Sequence, residues 1–145
     1  MPNNGFSIGH DVAIDISDIV TGKQVVFPLV TGFSAEPKTK QISSEPLNGP
    51  PLFAENPNGW GGTIDLDRTD GSVDLWFADR EARYYKGQSI FNVTIVQTVQ
   101  ERDGSISQFR YPNVALKLSQ AGQWKASDKV SIRLDWVAST RITVL

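Results

Sequence analysis

The sequence predicts a mainly β fold: an antiparallel β-sandwich or barrel with one flanking α-helix at about residues 72–86 and a long Pro-rich loop at about residues 36–58. Three observations point there. Several segments alternate apolar and polar residues with the period of two that a half-buried strand requires. Only one segment changes to helical spacing. The connections are short turns rather than helical crossovers, so neighbouring strands run antiparallel. With 145 residues, 39% hydrophobic and 21% charged, the chain reads as one domain over residues 1–145.

Residues 11–18 place Val12, Ile14 and Ile16 on one face and Asp11, Ala13, Asp15 and Ser17 on the other. A turn at residues 20–23 and a second apolar strand at 24–30 complete a hairpin. Residues 62–68 alternate again, with Ile64 and Leu66 inward and Thr63, Asp65 and Asp67 outward. From residue 72 the period becomes helical through Val73, Trp76, Phe77 and Tyr84, with Asp70 or Ser72 as cap and Gly87 as stop. Residues 89–102 form a strand with Phe91, Val93 and Ile95 on one face, and Asp103-Gly104 turns it into a return strand at 105–111. Pro112-Asn113 marks a break or bulge before residues 114–119; a loop follows, then a strand at 128–138 with Val130, Ile132, Leu134 and Trp136 inward. Residues 142–145 extend an edge.

The Pro-rich stretch is the anomaly. Residues 33–62 hold Pro37, Pro46, Pro50, Pro51 and Pro57 among Gly, Asn, Ser and charges, with a short strand expected around residues 38–43. Each proline lacks an N–H donor and fixes φ, so this density suits neither a central strand nor a helix interior. Loops this long inside a compact domain are generally functional or disordered. Residues 36–58 therefore read as an arm that touches something else, with Pro37, Lys38, Lys40, Pro46, Pro50, Pro51 and Phe53 as its contact candidates.

Composition excludes several chemistries. There is no cysteine, so disulfides, thiolate metal sites and cysteine nucleophiles are out. A formal net charge of −2 gives no basic field for gripping nucleic acid. The N-terminus lacks the pattern of a secretory signal and no apolar run is long enough for a membrane helix, so a cytoplasmically made protein without membrane insertion is expected. His10 is the only histidine and has no second ligand beside it. Asp65, Asp67 and Asp70-Gly71 fail calcium-loop spacing, since the glycine falls at the seventh position instead of the sixth and Trp76 stands where the bidentate Glu belongs. Gly59-Trp60-Gly61-Gly62 leads into a strand, not a helix N-terminus, so it is no phosphate cradle. Those glycines fit close packing around Trp60 instead. No catalytic set, cofactor or metal site is expected. The acidic faces carrying Asp11, Asp15, Asp65 and Asp67 read as solvated surface or as a wall that repels a phosphate backbone.

The stretch GWGGTIDLDRTDGSVDLWFADREAR at residues 59–83, the Asp103-Gly104-Ser105 hairpin and LKLSQAGQWKASDKV at residues 116–130 resemble a phage tail tube protein. The family is that of long-tailed phage tubes, whose fold is shared with the Hcp protein of type VI secretion; the pattern covers roughly residues 40–137. The resemblance implies a structural role in the virion tail, assembled in the host cytoplasm. It implies hexameric rings whose inner strands join into one barrel, stacked into a channel for DNA ejection, with DNA passing unbound. Implied partners are other copies of the chain and sheath, baseplate, tail terminator and tape measure proteins. Residues 36–58 then become an inter-subunit arm, and Asp11, Asp15, Asp65 and Asp67 candidate lumen-facing residues. A single-ring baseplate or Hcp-like secretion protein belongs to the same class. Outside it stand a carbohydrate-binding β-sandwich using exposed Trp60 or Trp124, and a hydrolase built on a scattered carboxylate pair.

Overall fold

The computed structural model describes residues 11–18, 24–25, 30–89 and 92–145. The expectations for His10 and Phe91 and for the middle of the second strand lie outside those residues. Within them the order is β1 (Val12–Asp18), β2 (Gln24–Val25), β3 (Val30–Phe33), β4 (Glu36–Ser44), β5 (Leu52–Asp67), α1 (Ser72–Tyr85), β6 (Val93–Gln100), β7 (Ile106–Gln120), β8 (Ser131–Ala138) and β9 (Ile142–Thr143). The strands form one path, β2-β1-β6-β7-β8-β5-β3, with β4 added to β5 and β9 to β7. All pairings are antiparallel. The fold is therefore mainly β with a flanking helix, as the alternation and turns predict.

β7 is the hinge of this sheet. Its first half pairs with β6, Gln100 opposite Ile106 and Val93 opposite Val114, and its second half with β8, Ala115 opposite Val137. The change of partner follows Pro112, which has no N–H to give a ladder, and Asn113, whose φ of 53° is left-handed. The break read at Pro112-Asn113 is a bend inside one long strand. The sheet curls so far that β1 and β3, distant along the path, face each other across a cleft lined by Val12, Ile14, Val30 and Phe33.

Alternation sets the core. Ile64 and Leu66 from β5, Ile132, Leu134 and Trp136 from β8, and Val93 and Ile95 from β6 are buried, and Tyr111, Val114, Ile16 and Val73 join them in one cluster. Each such aliphatic side chain contributes about 1.5–3 kcal/mol by leaving water. The helix starts after an Asp70 side chain that accepts from the Ser72 N–H at 3.0 Å, which holds the Asp70 carboxyl below its usual pKa. It ends at Gly87, whose φ of 76° suits the stop read there.

The Pro-rich segment differs from the loop expected. β4 and the outer half of β5 form a two-stranded ribbon from Ser44 opposite Leu52 down to Glu36 opposite Gly61. A ribbon this narrow is all edge, so its prolines remove no ladder bond inside a sheet. Pro37 lies at a register shift, and Pro46, Pro50 and Pro51 lie in the connection. Every residue from 36 to 58 is exposed. Without a buried side the ribbon has no hydrophobic alternation, which is why only a short strand was expected there.

Candidate functional site

The arm is rooted in the core. At Gly62 an added Cβ would lie 1.8 Å from the Ser34 carbonyl oxygen, so only glycine lets these two backbones meet. Their contact is fastened by the Ser34 N–H donating to the Thr63 carbonyl at 2.9 Å and the Thr63 N–H donating to Ser34 Oγ at 3.0 Å. Two residues earlier, Trp60 leaves the ribbon half-buried with its ring edge-on to Tyr111 at 6.1 Å. Tyr111 in turn meets Trp136 at 4.8 Å, and Phe33 stacks on Trp136 at 5.6 Å. Burial pushes the Tyr111 phenol above its ordinary pKa, and its hydroxyl donates to Gln97 Oε1 at 3.0 Å.

Arg141 completes the root. Its guanidinium lies 4.2 Å from the Trp60 ring centroid and 4.3 Å from that of Phe109, so one cation spans two rings. Arg141 carries no periodic signal and stands far along the chain from Trp60, so sequence reasoning missed it. Its position also covers a face of Trp60 that a sugar would need. Trp124 is exposed but has Arg68 over its ring at 5.1 Å.

Beyond the root the arm is bare. Pro37, Lys38, Lys40, Pro46, Pro50, Pro51 and Phe53 are all exposed, on the ribbon or in its connection. Cross-strand partners share a face. The register therefore puts Lys40, Ile42, Leu52 and Ala54 on one side and Thr39, Gln41, Phe53 and Glu55 on the other. On the second side Thr39 Oγ1 donates to Glu55 Oε2 at 2.8 Å. Beta structure of about 3.3 Å per residue gives β4 a reach near 30 Å.

The four acidic candidates do not form one patch. Asp65 and Asp67 lie on the side of β5 opposite the core, as alternation predicts. Arg133 Nε stands 2.9 Å from Asp65 and Lys129 Nζ 3.4 Å from Asp67. The Asp65 carboxylate holds the Arg133 guanidinium above its usual pKa. This is a face of mixed charge, lining a shallow depression with Thr31, Gln120 and Ser131. Asp15 is exposed on β1, opposite Val96 of β6. Asp11 departs from the reading that it shares Asp15's solvent side: it precedes the strand and is only 6% exposed.

The helix meets the body through its first half. Val73 is buried and Trp76 and Phe77 pack partly on the core, whereas Tyr84, expected on the same stripe, is exposed. No group of three or more His, Cys, Asp or Glu among the described residues could hold a metal ion. Among those residues no helix is long and apolar enough to cross a membrane.

No family model matches the chain, and no curated protein does. Solved structures do. A chain of the SPP1 tail tube aligns with a TM-score of 0.62 at 12% identity, over 94% of this chain and 78% of that one. A chain of the anti-feeding prophage (AFP) baseplate aligns at 0.60 and 11% identity, over 99% and 97%. A chain of the sheath–tube complex of the PVC extracellular contractile injection system, in its extended state, aligns at 0.59 and 12% identity, over 90% and 86%. The chain has the fold of tail tube proteins.

Proposed function

We propose that the chain is a structural, non-catalytic subunit of a tail or injection tube, acting as one domain over residues 1–145. The observation that carries this reading is the exposed ribbon of residues 36–58, held by an aromatic root on a body with the tube fold. A ribbon without a buried face gains nothing by folding alone; ordering it ahead of contact lowers the entropy lost on binding. Subunits assemble as hexameric rings that stack, with the arm reaching a neighbouring copy and Pro37, Lys38, Lys40, Pro46, Pro50, Pro51 and Phe53 near the contact. Ring closure also covers the edges of β2 and β3, which end the strand path among the described residues. The channel passes DNA without gripping it, and Asp15, Asp65 and Asp67 are the candidates for its wall. Sheath, baseplate, terminator and tape measure proteins are the partners that a phage tail supplies, and the virion is the location.

A second reading, a tube of a contractile injection system, is favoured by the AFP and PVC likenesses, which score nearly as high as the phage tube. Negative-stain electron microscopy of the purified protein across concentration tests the shared claim. Rings or tubes with a central channel are expected; a strict monomer at every concentration and salt sinks it. Among assemblies, stacks that elongate with concentration support a main tube, and rings that stop at one layer support a baseplate component.

A further inference from the structure

α1 is apolar on two sides. Val73, Trp76 and Phe77 turn toward the sheet. On the opposite side Leu75, Ala78, Ala82 and Tyr85 recur at intervals of three, four and three, the spacing at which helix side chains form one continuous seam. All four are exposed, Leu75 at 72% and Tyr85 at 77%. A surface helix needs a single apolar face to dock on its own sheet. A second, uncovered one marks a surface for a partner.

We propose that this seam receives the arm ribbon of a second copy of the chain. The proposal rests on the reading of residues 36–58 as an inter-subunit arm and names the surface that the arm meets. The ribbon side carrying Ile42, Leu52 and Ala54 is exposed too, Ile42 at 48% and Leu52 at 62%, so neither surface is satisfied within one chain. Lengths agree: Leu75 to Tyr85 spans about 15 Å at about 1.5 Å per helical residue, and Lys40 to Ser44 of β4 covers about 13 Å at about 3.3 Å per residue. Shapes agree as well. Ala78 and Ala82 leave a low centre between Leu75 and Tyr85, where a flat ribbon can approach the helix backbone.

Charge selects the ribbon side and the partner. Lys40 is the charged residue on the apolar side, and it makes no ion pair among the described residues. Glu55 lies on the other side, engaged by Thr39. The seam is flanked by Asp74, Asp79 and Glu81. Asp74 pairs with Arg68 at 3.3 Å and Asp79 with Arg83 at 3.2 Å, while Glu81 pairs with nothing among the described residues. Lys40 on the arm and Glu81 beside the seam are thus complementary, and they orient the ribbon along the helix.

Because the chain contains no cysteine, introduced pairs report the contact directly. A disulfide needs Cα atoms about 4.4–6.8 Å apart, so only residues that meet will cross-link. Ile42→Cys with Ala78→Cys, oxidised under assembling conditions, is expected to give a covalent multimer ladder on a non-reducing gel. Gln41→Cys with Ala78→Cys, which uses the other ribbon side, is expected to stay monomeric. Lys40→Glu should raise the concentration needed for assembly about tenfold, and adding Glu81→Lys should restore it. Assembly without a ladder from the first pair, and without charge rescue, overturns the seam as acceptor. Removing residues 38–55 separates the two claims. If that variant cannot assemble and the ladder is also absent, the arm reading stands and the seam is wrong; if it assembles normally, both fall.

Discussion

At Gly62 a single missing methyl group decides whether the arm can be joined to the body. The Cβ of an alanine would fall 1.8 Å from the Ser34 carbonyl oxygen, and both atoms belong to paired backbone that cannot swing aside. Gly62→Ala should therefore lower stability by about 3 kcal/mol, the upper end of ordinary overpacking, read as a reduced urea midpoint. Gly71→Ala, where φ is −91° and an added methyl group meets only the end of the Arg68 side chain at 3.8 Å, should lower it by less than about 1 kcal/mol. Equal effects would mean that the crowding at Gly62 is not real. The glycines around Trp60 were legible as close-packing residues, because a strand offers them no other use. Their partner was not legible, since Ser34 sits on the far side of the whole arm. The same limit hid the ion pairs of the acidic face: Asp65 was readable as outward-facing, yet Arg133 lies 68 positions later and Lys129 lies 62 after Asp67. Sequence pattern reports which way a side chain points. It does not report what waits there.

Elements with one buried side were legible for that reason. β1, the inner half of β5, β6 and β8 alternate, and α1 changes period, because burial imposes the pattern. The outer ribbon escaped because nothing buries it. Deleting residues 38–55 and closing the gap with a short Gly-Ser turn should leave the urea midpoint within about 0.5 M of the parent's, since all of those residues are exposed. The same deletion should abolish assembly by sedimentation velocity. A variant that unfolds would show that the ribbon holds the body together, and one that still polymerises would show that stacking uses other elements. The helix makes the complementary point. Tyr84 continues the stripe of Val73, Trp76 and Phe77, but it is exposed and lies outside the core cluster. A helix that outruns its own core offers its remainder to neighbours.

For the molecule as a whole, the balance of forces can be read from what the single chain leaves uncovered. Its exposed large side chains include Leu47, Leu52 and Phe53 on the arm and Leu75, Tyr84 and Tyr85 on the helix, with Ile106, Trp124 and Leu145 elsewhere. Against this stands a formal net charge of only −2, so copies brought together repel one another weakly. Most visible ion pairs are half-exposed and intramolecular, and such pairs are worth about 0–1 kcal/mol each. Burial of apolar surface should then drive assembly, with charges such as Lys40 and Glu81 choosing the register. That driving force weakens on cooling and strengthens with excluded salts such as sulfate. The critical concentration, measured by pelleting, should rise several-fold between 37 °C and 4 °C and fall in ammonium sulfate. Between 50 and 500 mM sodium chloride it should move by less than about threefold, because screening removes only exposed charge contacts. The opposite behaviour, polymers stable in the cold and dissolved by sodium chloride, would assign the interface to ion pairs and leave the apolar arm and seam without a role in it.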